Sequence, residues 1–127
     1  MSIVSIRYMI DDVPAAIEFY TTYLGFALQL DASPAFASVV RDGVRLLLSG
    51  KTSSGRMAMP DGRQPVPGGW NRMQIQVDDL ESEVKRLRQA GLNFRNDIVQ
   101  GPGGSQILLE DPSGNPVELF QPKKKKE

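Results

Sequence analysis

Two stretches of the chain repeat one pattern 67 residues apart, and the repeat limits the possible folds more than any single motif does. Ser5-Ile6-Arg7-Tyr8-Met9-Ile10-Asp11-Asp12-Val13 returns as Arg72-Met73-Gln74-Ile75-Gln76-Val77-Asp78-Asp79-Leu80. Each copy alternates like a strand with one buried face, reaches an Asp-Asp pair, and then changes to helical spacing. Val13, Ala16, Ile17, Tyr20 and Leu24 form one apolar helical stripe; Leu80, Val84 and Leu87 form the other. Asp12 and Asp79 are placed to cap the helices by accepting from first-turn amides. Pro14 lies in a first turn, where its missing donor costs nothing. Gly25 and Gly91 stand where left-handed C-caps belong.

Strand signals follow each helix: Phe26 to Leu30, Phe36 to Arg41 and Val44 to Leu48, then Phe94 to Ile98, Gln106 to Glu110 and Val117 to Phe120. Hairpin turns are read at 41–44 and 111–115. The expected class is α+β: two βαβββ modules forming a cupped mixed sheet, with helices on the convex face. The modules run over about 1–49 and 70–122 of a single domain, 1–122. Glycine and proline mark 49–71 as an ordered loop and linker rather than a helix. A charged tail occupies 123–127. Gly101-Pro102-Gly103-Gly104-Ser105 reads as a turn, since it leads into a strand and lacks the Gly-Lys-Ser/Thr of a phosphate loop.

Composition narrows the chemistry. The chain has no cysteine and no histidine. Thiolate metal sites, disulfides, a cysteine nucleophile, Ser-His-Asp catalysis and histidine-built metal sites are therefore excluded within it. Basic and acidic residues balance at 15 each, but Lys123 to Lys126 supply four of the cations. The mildly acidic body that remains is a poor platform for nucleic acid. No apolar run approaches the roughly 20 residues that span a bilayer, so no membrane role is expected. The N-terminus lacks a signal-peptide pattern, and a cytoplasmic location is expected.

Asp-Asp-Val-Pro-Ala-Ala-Ile-Glu-Phe-Tyr-Thr-Thr-Tyr-Leu-Gly-Phe (11–26), Val-Asp-Asp-Leu (77–80), Gly-Leu-Asn-Phe (91–94) and Glu-Asp-Pro-Ser-Gly-Asn-Pro-Val-Glu-Leu (110–119) follow one another in this order. The set resembles the vicinal oxygen chelate superfamily, with its glyoxalases, bleomycin-resistance proteins and extradiol dioxygenases, over residues 4 to 121. In metal-using members the resemblance implies four ligand positions, two on the first strands of the modules and a carboxylate on each last strand. Here those positions hold Ser5, Arg72, a residue of 44–48 placed at Leu46, and Glu118. Only Glu118 is a ligand of the family type. A guanidinium stays protonated and repels a cation, so no metal and no cofactor are expected.

Alternation turns Ser5, Arg7 and Met9 into the cup, with Arg72, Gln74 and Gln76 beside them and Glu118 and Phe120 on the last strand. Arg72 or Arg7 is expected to pair with Glu118, either as a structural pair or as an anchor for a ligand oxygen. Met57, Met59 and Trp70 offer an apolar wall at the mouth; the competing reading has Trp70 closing the core. The candidate ligand-binding set is thus Ser5, Arg7, Met9, Arg72, Gln74, Glu118, Phe120, Met57, Met59 and Trp70, and Glu118 is the candidate catalytic base. Arg86, Arg88 and Lys85 read as a solvated helix face.

The resemblance implies a metal-independent binder of a small aromatic or apolar organic molecule. The alternative is a glyoxalase-like lyase or isomerase, or another enzyme, using the cavity without metal, with Arg72, Arg7 or a tyrosine (Tyr8, Tyr20, Tyr23) as acid or electrophile. It also implies a homodimer.

Overall fold

The computed structural model describes residues 3–124. The end of the lysine tail, 125–127, lies outside the described residues. Contacts group the chain into two compact units. The first runs to Gly68 and includes Pro112–Asn115; the second comprises Gly69–Asp111 and the chain from Pro116 onward.

In the first unit, β1 (Val4–Met9) leads to α1 (Val13–Tyr23), then β2 (Ala27–Ala32), β3 (Phe36–Arg41) and β4 (Val44–Ser49). The sheet order is β1-β4-β3-β2. The β1–β4 pair is parallel, and the other two pairs are antiparallel. The helix begins where expected, because Asp12 Oδ1 accepts from the Ala15 amide at 3.0 Å. It ends at Leu24 before Gly25, whose φ of 73° suits a left-handed cap. Val13, Ala16, Phe19 and Tyr20 turn inward from the helix. They meet Ala37, Val39, Leu46 and Leu48 from the sheet. Tyr20 is wholly buried, edge-on to Phe19, Phe26 and Tyr8 at centroid distances of 4.9, 5.7 and 6.3 Å. Tyr8 and Tyr20 therefore serve the core rather than the open face of the sheet.

The long loop after β4 is ordered as expected, although Ser54–Arg56 winds into one 3-10 turn. Arg56, with a side chain only 9% exposed, staples it. Its Nε donates to the Pro65 carbonyl at 2.7 Å and its Nη1 to the Ile10 carbonyl at 2.9 Å. Asn115 fixes the other end: its Oδ1 accepts from the Gly68 amide at 2.8 Å, and its Nδ2 donates to the Met9 carbonyl at 2.7 Å.

The second unit repeats the plan with β5 (Gln74–Gln76), α2 (Leu80–Gln89), β6 (Val99–Gln100), β7 (Gly104–Glu110) and β8 (Pro116–Pro122). Its order is β5-β8-β7-β6, again with the first pair parallel. The architecture is therefore α+β with two βαβββ modules, hydrogen-bonded as two four-stranded mixed sheets. Asp79 caps α2 through the Ser82 amide and hydroxyl. Leu80, Val84 and Leu87 bury the apolar stripe of the helix.

One strand expectation is corrected. Phe94 to Ile98 makes only an isolated bridge, Phe94 with Leu109, and the ladder resumes at Val99–Gln100. The Asn96 side chain takes the Leu108 amide at 2.9 Å, a bond that a neighbouring strand's carbonyl would otherwise accept.

Candidate functional site

In the second unit, parallel pairing sets Gln74 beside Glu118 and Gln76 beside Phe120. These residues face away from α2, whereas Ile75, Val117 and Leu119 are buried behind them. β8 runs between β5 and β7, so Glu118 has strands on both sides and is only 7% exposed. A carboxylate removed from water this far must be satisfied by polar partners. Arg72 Nε and Nη2 both donate to Oε1, at 3.1 and 2.8 Å, and Gln74 Nε2 donates to Oε2 at 2.6 Å. Arg72 Nη1 also donates to the Trp70 carbonyl at 3.2 Å. Of the two arginines considered for this pair, Arg72 makes it.

Trp70 does not close the core; it is 69% exposed. The Arg95 guanidinium lies 4.7 Å from its ring centroid. Arg95 donates further to Glu110 Oε2 at 3.0 Å and to the Gly69 carbonyl at 2.6 Å. Sequence reasoning missed Arg95, since nothing local separates it from Arg86 or Arg88. Those two pair with Glu83 and Asp97 instead. The second unit thus brings together Trp70, Arg72, Gln74 and Glu118, with Phe120 one pleat farther along the same face of β8.

In the first unit, the face turned from α1 carries Ser5, Arg7 and Met9 on β1. Their partners on β4 are Arg45, Leu47 and Ser49. Arg45 Nε donates to Ser5 Oγ at 2.8 Å, and Arg7 Nη1 to Ser49 Oγ at 2.7 Å. The register corrects the placement of the missing carboxylate. Arg7 pairs with Leu47 as Gln74 pairs with Glu118, so Leu47 is the counterpart of Glu118. Leu46, placed there from sequence, is fully buried on the helix side. A one-residue shift along a strand exchanges its faces, and the sequence does not fix the register of 44–48 against the first strand. Met57 and Met59 are 68% and 44% exposed on the long loop of this unit.

A model of the Glyoxalase/Bleomycin resistance protein/Dioxygenase superfamily matches residues 2–119. The chain belongs to this superfamily. Solved structures share its fold. A superfamily member from Sphaerobacter thermophilus DSM 20745 is 25% identical, with a TM-score of 0.75 and 95% of this chain and 97% of that one covered. A lactoylglutathione lyase from Agrobacterium tumefaciens is 21% identical, with a TM-score of 0.74 and 94% and 92% covered. TnmS3, an antibiotic-binding protein from Streptomyces sp. CB03234, is 23% identical, with a TM-score of 0.72 and 97% of each chain covered. None of the curated proteins matches.

The ligand positions that the resemblance implies fall on Ser5 and Leu47 in the first unit and on Arg72 and Glu118 in the second. Neither unit's residues fit a divalent cation: in the first, Leu47 is apolar, and in the second, Arg72 is a permanent cation that already holds the Glu118 carboxylate. Among the described residues, no three acidic side chains gather to hold a metal either. Also among them, no helix is long and apolar enough to cross a membrane.

Proposed function

We propose that this superfamily member is a metal-independent small-molecule binding domain for an aromatic or otherwise largely apolar organic ligand. The observation that carries the reading is that Arg72 and Gln74 occupy both oxygens of Glu118. A carboxylate held by three donors has little capacity left to ligate a cation or to take a proton from substrate, which favours binding over base catalysis. The exposed indole of Trp70 beside this cluster suits stacking against a planar ligand. The antibiotic-binding neighbour TnmS3 shows that a protein of this fold holds an organic molecule, which supports the same reading for this chain.

The test is a thermal-shift screen of aromatic antibiotics and 2-oxo compounds, with hits followed by calorimetry and product analysis. A ligand for the native state raises the melting temperature. Saturable binding with the compound recovered unchanged supports the proposal; turnover of a bound compound overturns it. The same binding domain is proposed to work as a homodimer, supported by the exposed apolar side chains of Leu28 and Leu30 on the edge strand β2. Sedimentation should then give twice the chain's 14.0 kDa, and a monomer mass at micromolar concentration would remove this part of the reading.

A further inference from the structure

The open face of the first unit has a charge imbalance. Of the chain's nine arginines, Arg41, Arg56, Arg63, Arg72, Arg86, Arg88 and Arg95 are paired with carboxylates. Arg7 and Arg45 have no carboxylate partner among the described residues, and both lie on this one face. The acids of the unit are engaged or placed elsewhere. Asp11 meets Arg56, Asp12 caps α1, Glu18 is on the exposed side of α1, Asp31 holds Ser33, Asp42 sits in a turn and Asp61 meets Arg63.

Each of the two guanidiniums spends one donor on a serine hydroxyl: Arg7 on Ser49 and Arg45 on Ser5. A guanidinium has five N–H donors, so most of the donor capacity of both remains open. The serines fix the direction of the forks without neutralising them. The β1–β4 register sets the two arginines diagonally on adjacent strands, about 8 Å apart at Cα from strand spacing and rise. Leu47 lies opposite Arg7 and two residues along from Arg45, an apolar floor between two cations.

The room for Arg7 is built into the backbone. A Cβ at Gly55 would fall 2.5 Å from Arg7 Nη1 and 2.8 Å from its Cδ. Any side chain at position 55 would push the guanidinium aside.

We propose that Arg7 and Arg45 form an anion anchor for the ligand of this domain. The ligand class is then a small organic acid whose carboxylate or phosphate oxygens take the two forks by charge-assisted hydrogen bonds while its apolar body covers Leu47. The proposal rests on the small-molecule reading above and names its ligand chemistry. It also moves the anchor away from Arg72, whose charge Glu118 cancels.

The test uses 2-naphthoate and naphthyl phosphate against neutral 2-naphthamide, followed by calorimetry and by the arginine Nε–H signals in 15N spectra of the full chain. The wild type should bind at least one anion about tenfold more tightly than the amide, with the Arg7 and Arg45 signals moving and the Arg72 signal still. Arg7→Gln and Arg45→Gln should each erase most of that preference while amide binding is retained. Gly55→Ala should weaken anion binding with both arginines present, which guards against a variant that fails to fold. Equal binding of amide and anions, or shifts centred on Arg72, would overturn the anchor and leave the small-molecule reading standing. Absence of binding by all three probes would count against both.

Discussion

Arg72 places Nε and Nη2 together on a single oxygen of Glu118, leaving the other oxygen to Gln74. The pair is worth less than its geometry suggests, because removing both charges from water offsets much of their attraction. Breaking it from one side is a different matter. Arg72→Met strands a carboxylate that is 7% exposed. The expected loss is about 2 kcal/mol of unfolding free energy in urea, below the ~3–5 of fully buried pairs because the Arg72 side chain keeps 27% exposure. The double variant Arg72→Met/Glu118→Leu should recover most of that loss. A single variant as stable as wild type would show that the pair is solvated.

The same occupation of both Glu118 oxygens governs metal binding. Wild-type protein equilibrated with zinc or manganese and then desalted should retain far less than one equivalent by elemental analysis, because Glu118 has no free pair of oxygens to offer. Stoichiometric retention that Glu118→Gln abolishes would contradict this.

The helix cap gives an acid-pH prediction. The Ser82 hydroxyl, and after it the Ser82 amide, hold the Asp79 carboxyl below its ordinary 3.8. Ser33 does the same for Asp31. A depressed carboxyl contributes stability above its unfolded value and loses it as pH falls through the lower folded one. Asp79→Asn should therefore melt below wild type near neutral pH, with the gap closing below about pH 4. A gap that stayed constant down to pH 2 would rule out the charge as its source.

Trp70 is the chain's one tryptophan, so its emission reports a single environment. At 69% exposure it should be quenched readily by acrylamide, and Arg95 against the ring should enhance quenching by iodide. Arg95→Gln should reduce iodide quenching selectively and cost about 1 kcal/mol of stability. Equal responses to the two quenchers in both proteins would refute the stacked arrangement.

Two glycines in one loop should answer alanine differently. A Cβ at Gly50 would meet the carbonyl oxygens of Pro34 and Ala35 at 2.5 and 2.7 Å, atoms of rigid backbone. Gly50→Ala should cost about 2 to 3 kcal/mol. Gly55→Ala meets only the movable end of Arg7 and should leave the melting temperature nearly unchanged.

The sequence alone was enough for whatever depends on near neighbours. Asp12 and Asp79 cap because their side chains reach amides three residues on, and the apolar stripes of α1 and α2 follow from helical period. Alternation sorted Ile75 from Gln74 and Tyr8 from Arg7, since a strand's faces are fixed by parity. The repeat then implied two modules of one plan.

Tertiary structure decided what depends on pairing between distant segments. Sequence parity could not say whether Leu46 or Leu47 answers to Glu118, because a one-residue slip in β4 exchanges the faces, and only the β1 register removes that freedom. Nor could it choose between Arg7 and Arg72 for Glu118, or find the arginine that stacks on Trp70. All nine arginines carry the same charge in the unfolded chain. Only folding put Arg72 on Glu118 and Arg95 on Trp70, and left Arg7 and Arg45 facing serines.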